Sequence, residues 1–236
     1  MFRIKIRYLI MMRMTIRKSF FLFLLLSLFG ASYSQDDDFG IWYGVSTELK
    51  LIRKLEIDLS GSVRTYKNAS KIDEAFLEGG LTYKLINYIA VGAAYRFGEY
   101  FEDDDSYHPR HKWFLDVLGK LPVGDVSISA RFRFQQRFKT YFEDEEDKIP
   151  VSHGRYRLKA IYNIPSFPVN PYIAAEIFCP MFTKTTRTID KNRFMFGLEY
   201  NITKKHSIEV GYMFQRDFLP HISDINVISL GYNFKL

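Results

Sequence analysis

The sequence holds a single cysteine, Cys179, among 236 residues. One thiol excludes an intramolecular disulfide framework and a four-cysteine metal site, and it lies too far along the chain to carry a lipid at a processed N-terminus. Beyond residue 30 no apolar run approaches the length a membrane helix needs. The nucleophile pattern G-x-S-x-G is absent. Neither acidic stretch, Glu102-Asp-Asp-Asp or Glu143-Asp-Glu-Glu-Asp, has the spacing of an EF-hand, and a solvated loop is the simpler reading of both. The first 34 residues lack acids altogether and carry six cations, Arg3, Lys5, Arg7, Arg13, Arg17 and Lys18. Without those six, the 33 Lys and Arg of the chain fall to 27, equal to its 27 Asp and Glu. The basic pI of about 9.2 therefore belongs to the leader. A neutral remainder gives no support to nucleic-acid binding.

The leader reads as a secretory signal peptide. A basic region precedes the apolar run 20–30, and the small residues Ala31-Ser-Tyr-Ser come before Gln35. The basic region is long enough for translation to begin at Met11, Met12 or Met14 instead. The division expected is a signal peptide over 1–34 and one domain over 35–236.

What the domain does have is aromatic side chains, 22 Phe and 16 Tyr across the chain, at a mean hydropathy of only −0.15. That combination suits alternating strands. From 126 to 137 the apolar Val126, Ile128, Ala130, Phe132 and Phe134 alternate with Ser127, Ser129, Arg131, Arg133, Gln135 and Arg137. From 155 to 162, Tyr156, Leu158, Ala160 and Tyr162 alternate with Arg155, Arg157 and Lys159. Successive side chains of a strand point to opposite faces, so these cations share one face. Burying unpaired charge in a sandwich core is costly, whereas a barrel with lipid outside and a polar lumen accommodates such a face. Further alternating segments at 39–51, 55–66, 74–85, 88–100, 112–121, 172–179, 193–201, 207–216 and 225–236 bring the count to eleven. The fold class expected is all-β, a transmembrane antiparallel up-and-down β-barrel of 10–12 strands.

Short links near 53–54, 86–87, 122–125, 164–170 and 203–205 alternate with longer polar ones near 101–110, 138–154, 180–192 and 217–223. Outer-membrane barrels show this pattern, with short turns periplasmic and long loops outside, and their strand numbers are even. Eleven segments break that parity. Either 39–51 lies within the lumen of a ten-stranded barrel, or two strands of a twelve-stranded one are merged. The chain ends Ser229-x-Gly231-x-x-Phe234-x-Leu236, which resembles the C-terminal signal of outer-membrane barrels, with Leu in place of the commoner final aromatic.

Several stretches together resemble the family called domain of unknown function 2490: His108-Pro-Arg-His, Ala130-Arg-Phe-Arg-Phe-Gln-Gln-Arg-Phe, His153-Gly-Arg-Tyr-Arg-Leu, Ala175-Glu-Ile-Phe, Lys191-Asn-Arg-Phe and Glu209-Val-Gly-Tyr-Met-Phe-Gln. The resemblance covers nearly all of the chain after the leader. It implies a secreted, barrel-like protein of a Gram-negative bacterium, and it carries no activity to transfer.

The alternation assigns the lumen. Basic lining is expected from Arg96, Lys112, Arg131, Arg133, Arg137, Arg155, Arg157, Lys159 and Arg193, and acidic lining from Glu48, Glu56, Asp58, Glu74, Glu78, Glu176, Glu199 and Glu209. Acids dominate the early strands and cations the middle ones. A channel would use that asymmetry as a transverse field at a constriction, while a narrow barrel would pair the charges into a plug. The leading expectation is a narrow polar-solute channel or a structural component of the outer membrane. The alternative is a lipid- or envelope-modifying hydrolase, for which Ser106 and Ser152 lie beside His108 and His153. Catalysis is the weaker expectation, and no residue pattern calls for a metal or an organic cofactor. Partners expected are outer-membrane lipid, the barrel-assembly machinery and small polar solutes. Aromatics near strand ends, including Trp42, Tyr88, Trp113, Tyr162, Tyr172, Tyr200 and Tyr232, are expected in interfacial girdles where they face lipid.

Overall fold

The computed structural model describes residues 37–102, 105–142, 148–182, 188–218 and 222–236. The leader and the acidic stretch 143–147 lie outside the described residues. Eleven strands follow one another: β1 (Asp37–Ile52), β2 (Leu55–Tyr66), β3 (Lys71–Ile86), β4 (Ile89–Phe101), β5 (Tyr107–Val123), β6 (Val126–Lys139), β7 (Val151–Tyr162), β8 (Val169–Met181), β9 (Lys191–Asn201), β10 (His206–Asp217) and β11 (Ser223–Lys235). Each pairs with its sequence neighbours, and β1 meets β11 to close a barrel.

The parity problem resolves in neither of the two expected ways. Segment 39–51 is not held in the lumen of a ten-stranded barrel, and no pair of strands is merged. It is a wall strand, and the eleven-stranded barrel closes through a parallel β1–β11 pair running in register from Asp37↔Asp224 to Glu48↔Lys235. An odd number of strands joined by hairpins leaves the first and last pointing the same way, so a parallel seam is the only closure available. Ser46 Oγ donates to Asn233 Oδ1 across it at 2.5 Å.

One end of the barrel carries the short turns, including the β5–β6 turn, where Gly124 takes the left-handed conformation (φ 58°) that its missing Cβ permits. The other carries the two longest links, 140–150 and 182–190, and also the short β2–β3 link, residues 67–70. Lys67, Asn68 and Ala69 all have positive φ there, at 50°, 56° and 61°, which is uncommon for side-chain-bearing residues. Asp38 holds the turn, its carboxylate accepting from the backbone N–H groups of Lys67 and Asn68 at 2.9 Å each. The backbone N–H of Ala69 donates to the carbonyl of Phe39 at 2.9 Å.

The wall is two-sided. Outward positions present Val45, Leu59, Leu77, Leu81, Leu115, Val117, Leu158, Ile173 and Leu198, all exposed. Leu77 and Ile173 are 70% and 66% exposed, and with their neighbours they form a continuous apolar outer face of the kind a water-facing exterior avoids. Near the turn end, Tyr83, Tyr88, Tyr162, Tyr200 and Tyr232 are outward and exposed; toward the loop end the His111 ring packs at a tilt against Tyr95 and Phe97. Most buried residues, among them Phe76, Phe114, Phe178, Glu74, Arg133, Arg155 and Glu176, are on the opposite face. The core of this molecule is its lumen.

Candidate functional site

Halfway along the barrel, inward side chains set arginines against rings around most of the circumference. The Arg64 guanidinium lies over Trp42 at 3.8 Å and Phe76 at 4.9 Å. Arg96 lies over Phe76 at 3.6 Å and Phe114 at 5.4 Å. Arg133 covers Phe114 at 4.2 Å, and Arg155 covers Phe178 at 4.5 Å. Arg193 returns the sequence to its start, over Phe178 at 4.8 Å and Trp42 at 5.1 Å. Strands β10 and β11 complete the layer with Met213 and Val227, 4% and 0% exposed. Rings present their negative faces to the cations, so the layer is cohesive although five arginines contribute to it.

Acids thread the same layer. Glu74 pairs with Arg64 and reaches Lys112 at 3.8 Å. Glu78 pairs with Arg96 at 2.6 Å and, across the lumen, with Arg133 at 3.5 Å. Asp116 accepts a two-pronged contact from Arg133, both arms 2.7 Å, the geometry in which guanidinium and carboxylate bind most strongly. Glu176 is shared by Arg131 at 2.9 Å, Arg155 at 3.0 Å and Arg193 at 3.7 Å. Contacts such as Arg133–Glu78 and Arg193–Trp42 skip two strands of the wall, which measures how narrow the waist is.

On the turn side of the waist a second set of contacts crosses the lumen. Lys159 reaches Glu209 at 3.5 Å, and the Tyr172 hydroxyl donates to the same carboxylate at 2.8 Å. Tyr172 reaches that far because β9 and β10 offer glycines: a Cβ on Gly197 would sit 2.8 Å from its ring. At the mouth, Lys84 meets Glu56 at 2.6 Å, Thr82 Oγ1 donates to Asp58 at 2.7 Å, and Lys235 meets Glu48 at 3.2 Å. On the loop side, Arg110 pairs with Glu102, and Lys191 with Asp217 at 2.8 Å.

Of the residues read from the sequence, Arg96, Lys112, Arg131, Arg133, Arg155, Arg193, Glu74, Glu78 and Glu176 come together at the waist. Arg157 sits between Arg131 and Glu176 in register, and Arg137 sits opposite Lys112. Lys159 and Glu209 lie beyond the waist, Glu199 lies opposite Glu209, and Glu48, Glu56 and Asp58 belong to the mouth. The acids therefore do not form a separate wall facing a basic one; Glu176 and Asp116 are embedded among the arginines. Sequence reasoning missed the rings. Trp42 and Tyr172 lie in the lumen, not in a lipid-facing girdle, and Phe76, Phe114 and Phe178 were unassigned. The readable signal is parity: each falls on the polar face of its strand.

Ser106 Oγ lies 2.7 Å from His108 Nε2, but His108 opposes the buried, inward Tyr100, away from the lipid-facing surface a lipid ester would approach. Ser152 instead accepts from Gln136 Nε2 at 3.1 Å, and His153 is taken by Asp190 at 2.6 Å. Among the described residues no group of three or more potential ligands could hold a metal ion.

The sequence pattern of a family described as protein of unknown function, DUF2490, matches residues 39–226. No curated protein matches the sequence. Among solved structures, the NanC porin in a rhombohedral crystal form is similar with a TM-score of 0.52 at 16% identity, over 84% of this chain and 99% of the porin chain. The β domain of the Bordetella autotransporter BrkA gives 0.49 at 11% identity, over 74% of this chain and 81% of that one. At such identities the porin likeness is one of fold.

Proposed function

We propose, for a chain that belongs to the DUF2490 family, that it is an integral outer-membrane barrel and a narrow polar-solute channel, closed at its waist by paired charges and rings. The observation that carries this is the two-sidedness of one closed wall: exposed aliphatic side chains outside and nearly every charge of the strands inside. A lipid exterior and a polar interior are the environments in which each face is stable. Secretion through the leader and insertion by the barrel-assembly machinery follow from that reading. The similar fold of the NanC porin supports it.

The buried waist favours a second reading, a structural envelope component through which nothing passes. Glu176 is 3% exposed and Phe114 1%, so the resting waist is far tighter than a general-diffusion pore. Current through planar bilayers separates the two. A channel with a closed waist gives small, brief steps, and Phe114→Ala, which removes a ring from the waist, lengthens and enlarges them. Silence from both proteins supports the structural component. A steady, large current from the parent overturns the closed waist. Compartment is tested separately: recovery as a soluble periplasmic monomer ends the membrane reading altogether.

A further inference from the structure

The arginines of β6 and β7 outnumber the acids that reach them. Arg131 opposes Arg157 and Arg133 opposes Arg155 in directly paired inward positions, where like charges repel. Arg133 is matched by Asp116 and Glu78. Arg131, Arg155 and Arg193 must share Glu176. Other partners of the group are neutral: Gln135 accepts from Arg155 at 3.0 Å and Gln215 from Arg193 at 2.7 Å. Leu118 on β5 and Phe178 on β8 flank the group in register and bring no charge.

A second observation points the same way. The Nε atoms of Arg131, Arg155 and Arg157 are buried and have no hydrogen-bond partner, and Arg155 as a whole is only 9% exposed. Buried donors are almost always satisfied, and one left bare is costly. Arg64 and Arg110 carry a bare Nε too, but each has its own carboxylate, Glu74 or Glu102; the three on β6 and β7 crowd around the single Glu176, and that is a place where an acceptor belongs.

We propose that Arg131, Arg155 and Arg157 form a binding site for a small soluble oxyanion, a carboxylate or phosphate group, within the lumen. The inference rests on the reading of the lumen as a solute passage and names the class of solute. Guanidinium forks match pairs of oxygens on a carboxylate or phosphate, and an anion supplies both the missing charge and the missing acceptors. Lipid headgroups are excluded as the source because the three side chains face the lumen, on the far side of the wall from lipid. Glu176 competes for the same donors, so an entering anion displaces part of its contacts.

The test uses the full chain refolded in detergent micelles, with inorganic phosphate replacing chloride at constant ionic strength. Binding is read by equilibrium dialysis and by the thermal midpoint. Phosphate also stabilises folded proteins by exclusion from their surfaces, so the difference between variants carries the inference. The parent is expected to bind phosphate saturably. Arg157→Gln weakens binding about tenfold, the scale of one lost charge-assisted contact. Glu176→Gln strengthens it, and Lys84→Gln, one positive charge fewer at the mouth, leaves it unchanged. No saturable binding by the parent overturns the site even where a variant fails to refold. Equal binding by parent and Arg157→Gln overturns it also. Phosphate binding to a barrel that passes no current leaves the site and removes the channel; current with no phosphate binding removes the site and leaves the channel.

Discussion

The waist and the turn-end mouth of the lumen are built from the same residue types and differ in their access to water. At the mouth, the side chains of Lys84 and Glu56 are 45% and 16% exposed, and those of Lys235 and Glu48 are 53% and 44% exposed. At the waist, Arg155 and Glu176 are 11% and 4% exposed. A pair in water is screened and competes with solvation. A buried pair has no such alternative, so removing one member strands the other. The mouth charges are therefore replaceable one at a time, and the waist charges stand or fall together.

The comparison breaks most visibly at Glu176. Glu176→Gln leaves Arg131, Arg155 and Arg193 without their shared carboxylate and should cost about 3–5 kcal/mol, read as a lower denaturant midpoint for refolding into detergent or lipid. The wall gives the next largest effect. Phe132 is outward on β6, and Phe132→Arg should cost about 2–4 kcal/mol in lipid vesicles if it lies near the bilayer midplane. Ser129→Arg, three residues nearer the mouth and inward beside Lys120 and Lys159, should cost clearly less; equal damage would break the distinction between the faces. Gly197→Ala, between waist and mouth, pushes a Cβ against the backbone carbonyl of Val210 as well as Gly211 Cα and the Tyr172 ring and should cost about 1–3 kcal/mol as overpacking does, loosening the Tyr172–Glu209 contact. Smallest is Lys84→Gln at the mouth, about 0–1 kcal/mol, an effect that high salt should abolish while leaving the Glu176 effect nearly intact.

Much of this was legible in the sequence because a strand has a period of two. Arg131, Arg133, Arg155 and Arg157 fall on one face by counting alone, and so do Ile128 and Phe132 on the other. What counting cannot supply is who stands across the lumen. Glu78 meets Arg133, and Arg193 meets Trp42, only because the wall closes with a particular stagger. The stagger depends on every register in the barrel. The same limit hid the parallel seam: each local hairpin was readable, while the β1–β11 pairing joins segments nearly the whole chain apart. Trp42 gives two signals that pull apart. A tryptophan near a strand end fits a lipid girdle by type, and only its even-numbered place beside Gly44 and Ser46 puts it inside.

The parallel seam has a consequence for how the chain can be rewired. In most domains the two ends of the chain lie close together, and joining them with a short linker to open new ends elsewhere is tolerated. Here the first residue of β1, Asp37, and the last of β11, Lys235, lie on neighbouring strands but at opposite rims, separated by the twelve paired positions of the seam. At about 3.3 Å per residue that is a gap of about 36 Å, to be crossed either through the crowded lumen or along the apolar exterior. A circularly permuted form would need a linker of a dozen residues or more with nowhere favourable to lie. Removing or adding one strand beside the seam would put the start of the first strand and the end of the last at the same rim, so this barrel is one hairpin arm away from a topology that could be cut and rejoined freely.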